Sequence, residues 1–494
     1  MNLSEKWLCL KNGSDIRGIA SEGIEGLHIN LTDEAVFNIA AGFVKYAKEK
    51  LGKENITIAI GHDSRISAPR LKKACIDAFS KSGINVIDCG LATTPAMFMI
   101  TVDSDYLADA SVMLTASHLP FNRNGLKFFT KDGGFEGSDI TKILEYAEAN
   151  EFDFKGGGLI TKVNYIQKYA DDTAKKIRKD TGLEKPFEGM KIAVDAGNGS
   201  GGFYAKMLEE LGADTSGSKF LEPDGNFPNH IPNPENKEAM KAISDAVLES
   251  KSDLGIIFDT DVDRAAIVDK DGNEINKNRL IALISAVLME EKKGTIVTDS
   301  VTSAELKTFI ESNLGGVHHR FKRGYKNVIN EAIRLESEGR YAPLAIETSG
   351  HAALKENYFL DDGAYLVTRL LIKAVLMKKE GKNLTDLIAD LKDPKFETGY
   401  RLNLLNKDFK PDGEKILEAL KAEVENTEGF SLETPNFEGV RVNVENGWFL
   451  LRLSLHEPLM PLDIQGNTED AIGKMIAFIK EFLGKFDCID SSIM

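Results

Sequence analysis

Asp259-Thr260-Asp261-Val262-Asp263-Arg264 sets three carboxylates at alternate positions with a guanidinium directly after them. The loop follows Asp253-Leu254-Gly255-Ile256-Ile257-Phe258, an apolar run that reads as a buried strand. Strand ends of this kind are where α/β folds place their chemistry. Three hard oxygen donors on one short loop suit Mg²⁺, which takes carboxylates together with water or phosphate oxygens. An arginine beside them suits a phosphate held in bidentate fashion. A lone D-x-D reads best as a solvated acidic turn. The third aspartate, the arginine and the apolar strand shift the balance to a metal site.

Other loops carry complementary groups. Thr115-Ala116-Ser117-His118-Leu119-Pro120 follows the apolar run Ala110–Leu114, and a serine there is a helix cap, a nucleophile or a phosphate carrier. It is not a G-x-S-x-G elbow. Paired with the aspartate loop, it reads as a phosphoserine whose oxygen completes the Mg²⁺ shell. Asn122-Arg123-Asn124-Gly125-Leu126-Lys127 adds cations and amides nearby. Ser14-Asp15-Ile16-Arg17-Gly18 and Gly61-His62-Asp63-Ser64-Arg65 each set an arginine beside an aspartate, which a structural salt bridge explains for either one alone. Glu347-Thr348-Ser349-Gly350-His351 offers a carboxylate, hydroxyls and an imidazole suited to sugar hydroxyls or to a surface turn. Arg323-Gly324-Tyr325-Lys326 is a short basic motif, and Gly197-Asn198-Gly199-Ser200-Gly201-Gly202 reads as a strand-to-helix turn, being neither G-x-G-x-x-G nor a Walker loop. Arg452-Leu453-Ser454-Leu455-His456-Glu457-Pro458 can flank a phosphate with Arg452 and Ser454, His456 standing near, or end a strand in a buried ion pair.

The elements that must position these loops alternate. Short apolar strands at Ile56–Ile60, Ala110–Leu114, Met190–Val194, Gly294–Val297 and Leu344–Ile346 run into polar or glycine-bearing loops, with helical patterns such as Leu71–Ser80 and Leu280–Glu291 between them. That order implies several α/β units with mostly parallel strands. The last hundred residues differ. Thr398–Leu404 alternates as a strand, Val440–Leu455 reads as two strands turning at Glu445-Asn446-Gly447, and helices are expected near Gly413–Val424 and Thr468–Leu483. This is a smaller α+β domain, entered through Asp393-Pro394.

A length of 494 residues suggests three or four domains. The net charge of −16 argues against non-specific nucleic-acid binding, although local Arg and Lys can still draw an anion into a cleft. Cys9, Cys75, Cys89 and Cys488 form no C-x-x-C pair and read as reduced thiols of a cytoplasmic protein. No signal pattern or membrane-length apolar run is present.

Taken together, the loops resemble the α-D-phosphohexomutase family of phosphoglucomutases and phosphomannomutases, in family order along the chain. Ser14–Gly18 and Gly61–Arg65 are similar to its N-terminal arginine loops, Thr115–Pro120 to its T-A-S-H-N-P loop and Asp259–Arg264 to its D-x-D-x-D-R loop. Glu347–His351 is similar to its E-x-S-G-H loop and Arg452–Pro458 to its R-x-S-[GN]-T-E-P loop. The resemblance implies three similar mixed α/β domains (1–160, 161–274 and 275–392) and a C-terminal α+β domain (393–494) around one cleft.

It further implies reversible phosphate transfer between O1 and O6 of glucose and/or mannose phosphates through a bisphosphorylated intermediate, with hexose 1,6-bisphosphate as activator. Ser117 carries the phosphate in that scheme, and Ser117, Asp259, Asp261 and Asp263 hold Mg²⁺. Arg65 and Arg264 contact the phosphoserine, while His118, Lys127 and Arg17 serve catalysis. Lys326, Glu347, Ser349, His351, Arg452, Ser454 and His456, with Arg264, bind substrate. A monomer or homodimer without nucleic-acid or membrane partners is expected.

The chain departs from the family pattern at Leu119, at Leu455 and His456, and Thr348 fills the variable position of the sugar loop. An amino-sugar mutase or a sugar-bisphosphate synthase on the same scaffold is the alternative enzyme, and a catalytically weak sugar-phosphate binding protein the alternative of another class.

Overall fold

Thr57–His62, Asn85–Leu91 and Ala110–Leu114 pair in parallel at the heart of the first sheet. Arg123–Thr130 and then Asp15–Ile19 continue the sheet antiparallel. Helices Asp33–Leu51, Ala68–Lys81 and Gly137–Ala149 close a core over it, rich in Ile, Val, Leu and Phe. The first of these helices starts where Thr32 accepts the Ala35 amide at 3.1 Å and stops at Gly52, which takes a left-handed φ of 63°. Because the parallel strands run the same way, their C-terminal ends put Asp63–Arg65 and Thr115–His118 on one rim. This computed structural model describes residues 3–454 and 457–494. Leu455 and the expected substrate-binding His456 therefore lie outside the described residues.

In the second sheet Ile192–Asp195 and Leu254–Phe258 are parallel, as the apolar runs suggest. Ala265–Asp269 then returns antiparallel, with Phe258 opposite Ala265. The aspartate loop is thus the turn of a β-hairpin rather than a strand-to-helix connection. All five residues of Leu254–Phe258 are buried, and this fixes where the turn begins. The glycine-rich stretch after Ile192–Asp195 leads into helix Gly202–Glu210, as expected of a strand-to-helix turn.

Thr295–Thr298 pairs in parallel with Val317–Arg320 and with Leu344–Ile346. The C-terminal region is an antiparallel sheet built on Phe396–Leu404, Val440–Val444, Gly447–Leu451 and Leu459–Gly466, sharing one core with helices Lys410–Glu425 and Glu469–Leu483. Asn446, at a φ of 62°, makes the hairpin turn that its Asn-Gly sequence signals. The architecture is therefore α/β, with mixed sheets and helices, followed by an α+β domain.

Two compact units result. One comprises the chain through Asn276 together with Ser349–Thr385, and the other comprises Lys277–Thr348 with Asp386–Met494. Among the described residues no helix is long and apolar enough to cross a membrane.

Candidate active site

The serine loop is bent before any ligand is considered. Ser117 sits at a φ of 49°, a left-handed conformation that costs a non-glycine residue about 1 kcal/mol or more. Its amide donates to Thr115 Oγ1 at 2.9 Å, and its carbonyl is held by Arg65 Nη2. Arg65 also donates to the carbonyls of Leu119 at 2.7 Å, Pro120 at 2.7 Å and Arg123 at 2.9 Å, and through Nε to Asp63 Oδ2 at 3.1 Å. These bonds use all five guanidinium N–H groups. The expected contact between Arg65 and a phosphate on Ser117 is therefore corrected: a wholly buried arginine clamps the loop backbone and has no donor left for the hydroxyl. Arg17 behaves in part alike, donating to Thr115 O and, at 2.8 Å, to Asp15 Oδ2.

Held this way, Ser117 Oγ meets the aspartate loop. It donates to Asp259 Oδ2 at 2.9 Å and accepts from Arg264 Nη2 at 2.8 Å. His118 Nδ1 lies 3.4 Å from the same oxygen and accepts from Arg264 Nη2. Burial first, then the Arg264 charge, holds the His118 pKa down to about 3, so this imidazole is neutral at physiological pH. Arg264 is itself buried. Its Nη1 reaches Asn233 Oδ1 at 3.4 Å and Glu235 Oε2 at 3.5 Å, and Asp259, Asp263 and Glu235 more than offset the burial that disfavours its charge.

The three loop aspartates are fully buried, and each places a carboxylate oxygen within 4.8 Å of the others'. Lys127 Nζ lies 2.5 Å from Asp263 Oδ2 and 3.4 Å from Asp261 Oδ2. Thr94 Oγ1 donates to Asp261 Oδ2 at 2.5 Å. Asp261 Oδ1 and Asp263 Oδ1 are buried and accept no hydrogen bond among the described residues. Burial, reinforced by the charges of Asp263 and Asp261, drives the Asp259 carboxyl well above the usual range. Burial would raise Asp263 too, but Lys127, His351 and Arg264 hold it below that range. Converging carboxylates with unused lone pairs fit a hard divalent cation, which would add its charge to those of Lys127 and Arg264.

His351 belongs to this cluster as well. Its Nδ1 pairs with Asp361 Oδ2 and lies 3.8 Å from Asp263 Oδ1, and its backbone forms a bridge with Arg264. Ser349 is buried in the same unit.

The remaining expected residues lie in the other unit and are held locally. Glu347 Oε1 accepts from Gly324 N at 2.6 Å, and Thr348 Oγ1 donates to Asp299 Oδ2 at 2.7 Å. Lys326 stands in the first turn of helix Tyr325–Ser337. Arg452 Nε lies 3.5 Å from Asp463 Oδ2, and Ser454 Oγ accepts from Glu457 N at 3.2 Å.

Sequence reading did not find Thr94, Asn233, Glu235 or Asp361. Thr93-Thr94-Pro95 carries a helix-start signal, and nothing in its spacing announces an aspartate 167 residues away.

Comparison with known proteins agrees with the geometry. Residues 10–154, 165–272 and 276–394 match the alpha/beta/alpha domains I, II and III described for phosphoglucomutase/phosphomannomutase. A phosphomannomutase/phosphoglucomutase of Pseudomonas syringae pv. tomato is 30% identical over 458 residues, covering 92% of this chain and 90% of the relative. A phosphoglucomutase of Neisseria gonorrhoeae is 31% identical over 466 residues, covering 93% and 94%. The crystal structure of a phosphoglucomutase/phosphomannomutase family protein from Burkholderia thailandensis superposes with a TM-score of 0.79 at 25% identity, over 98% of each chain.

Proposed function

Since the chain belongs to the phosphoglucomutase/phosphomannomutase family of isomerases, we propose that it interconverts hexose 1-phosphate and hexose 6-phosphate through a phosphate carried on Ser117. The observation that carries this reading is the placement of Ser117 Oγ between Asp259 Oδ2, at 2.9 Å, and Arg264 Nη2, at 2.8 Å. A hydroxyl there is held against the acidic cluster and has a guanidinium beside it to steady the charge on a phosphoryl group.

The cycle starts from the phosphorylated serine. The O6 hydroxyl of a hexose 1-phosphate attacks phosphorus; the O6–P bond forms, the P–Oγ bond breaks and the O6 proton leaves to a base. The bisphosphate turns end for end, and Ser117 Oγ attacks the phosphorus at O1; the Oγ–P bond forms, the P–O1 bond breaks and O1 takes up a proton, releasing hexose 6-phosphate and restoring the phosphoserine. Asp259, Asp261 and Asp263 would hold Mg²⁺, which supplies charge neutralisation at the transferring phosphoryl group. Arg264 steadies the phosphoryl oxygens, and Lys127, between Asp261 and Asp263, lies close enough to share in proton movement. Burial of Ser117 keeps water from hydrolysing the phosphoserine.

Glu347 and Ser349 are assigned to the sugar hydroxyls with His351 beside them, Arg452 and Ser454 to the non-reacting phosphate, Lys326 and His456 to substrate binding, and hexose 1,6-bisphosphate to priming the serine. Domain limits of 1–160, 161–274, 275–392 and 393–494 complete the reading. A cytoplasmic setting is supported by four cysteines that remain thiols.

The test is a coupled assay on glucose, mannose and glucosamine 1-phosphates with Mg²⁺ and the matching bisphosphate, alongside intact mass before and after bisphosphate treatment. Turnover of a hexose phosphate and uptake of one phosphate are expected. Turnover without phosphate on Ser117 would overturn the assigned carrier, and the ranking of kcat/KM identifies the sugar.

A further inference from the structure

Three consecutive carbonyls of the aspartate loop are gripped by amides from distant parts of the chain. Ser200 N donates to Thr260 O at 2.8 Å, Thr94 N to Asp261 O at 2.9 Å and Gly363 N to Val262 O at 3.1 Å. Thr94 and Gly363 are the first residues of helices Thr94–Val102 and Gly363–Lys379, and Ser200 stands just ahead of Gly202–Glu210. Amides at a helix start have no partner in their own helix, so they are available to outside carbonyls. The grip also restrains Val262, a β-branched residue at a φ of 67°. Buried carboxylates repel one another, and a loop carrying three of them needs such restraint to keep their oxygens within 4.8 Å.

Two glycines make the grip possible. A Cβ on Gly199 would lie 2.6 Å from Thr260 O, 2.8 Å from Thr260 Cα and 3.0 Å from Thr260 C. A Cβ on Gly363 would lie 2.5 Å from Arg264 C, 2.7 Å from Arg264 O and 3.0 Å from Ala265 N. All six are backbone atoms that cannot swing aside as a side chain does. Neither glycine takes a left-handed φ, so close approach, not conformational freedom, demands the missing side chain.

We infer that Gly199 and Gly363 are positioning residues that seat the surrounding amides on Thr260, Asp261 and Val262 and so set the carboxylate separation required by a divalent cation. This explains what the glycine-rich turn at 197–202 does, and it rests on the metal reading of the aspartate loop. The experiment is calorimetric titration of the full chain with Mn²⁺, without sugar phosphate, for the wild type, Gly199→Ala, Gly363→Ala and the control Gly473→Ala, where an added Cβ meets nothing within 4 Å. Melting temperatures are read in parallel. Misplacement by a fraction of an ångström predicts Mn²⁺ binding weaker by about tenfold or more in the two test variants, with the control unchanged. A folded test variant that binds Mn²⁺ like the wild type overturns the inference, and if one test variant does not fold the other decides. A wild type that binds no Mn²⁺ removes the metal reading and the inference together, whereas normal wild-type binding with unaffected variants removes only the inference.

Discussion

Ser117 Oγ stands 2.9 Å from Asp259 Oδ2 across 142 residues of sequence. The serine ends a strand of the first sheet, and the aspartate opens a hairpin turn of the second. Neither group is remarkable alone as a residue type, since a serine loop can cap a helix and an acidic turn can simply be solvated. Together, and buried, they set a hydroxyl against a cluster of converging carboxylates, the juxtaposition on which the proposed phosphate carrier rests.

The Ser117→Ala variant tests that pairing. It removes the oxygen and leaves the loop, because Arg65 holds the backbone and not the hydroxyl. Mutase turnover should fall by about 10⁴-fold or more, as expected when a nucleophile is deleted. The mass increase on bisphosphate treatment should vanish, while the melting temperature stays close to that of the wild type. Residual activity near wild type would place the phosphate carrier elsewhere.

Arg65 makes a different prediction from an arginine that touches substrate. Its side chain and that of Asp63 are wholly buried, and removing the guanidinium strands a carboxylate and leaves four carbonyls without this donor. Arg65→Met should cost about 3–5 kcal/mol in urea unfolding. Arg65→Lys should rescue little, since one ammonium cannot span the same set of acceptors. A lysine variant with native stability and a changed phosphate response would instead restore the phosphate-contacting role.

These contrasts show where the sequence was readable. Leu254–Phe258 is apolar throughout, so its strand and the turn after it follow from composition, as do the hairpin at Asn446-Gly447 and the helix expected over Leu71–Ser80, which runs Ala68–Lys81. Chemistry-bearing residue types on strand-end loops singled out Ser117, the three aspartates and Arg264 as candidates, and the fold brings them together. The role of Arg65 was misread because salt-bridge spacing within Asp63–Arg65 says nothing about which carbonyls lie beyond it. The Asp361 partner of His351 arrives through a strand return, which the hydroxyls and carboxylate of its own loop do not announce. Thr94 and Glu235 touch the site only through tertiary packing, which leaves no local periodicity to detect.

The unsatisfied oxygens of Asp261 and Asp263 predict that the fold itself responds to a divalent ion. Protein dialysed against a chelator should lose mutase activity and recover it with Mg²⁺. Its stability should rise with the ion by about 2.7 kcal/mol at a hundredfold excess over Kd, read as an upward shift in melting temperature. Asp261→Asn should abolish most of that shift. A melting temperature indifferent to Mg²⁺ in the wild type would exclude these carboxylates as the binding site.

A pH effect on stability is expected away from the reacting groups, at His230. Its Nε2 lies 3.1 and 3.0 Å from the two carboxylate oxygens of Asp195, and its Nδ1 lies 3.0 Å from the carbonyl of Ile231. Acceptors face both ring nitrogens, and only the imidazolium can donate to both. Burial alone would lower the pKa, but the Asp195 bond and charge, the Ile231 carbonyl and the Glu238 charge together raise it above the ordinary 6.5. The folded state therefore binds this proton more tightly than the unfolded chain does. Its stabilising contribution is complete below pH 6.5 and is lost as pH rises through the raised folded-state value. Urea unfolding of the wild type across that window should show stability falling with pH, and His230→Gln should be less stable at the acid end and flatter across it. An equal slope in the variant would assign the pH dependence to other groups.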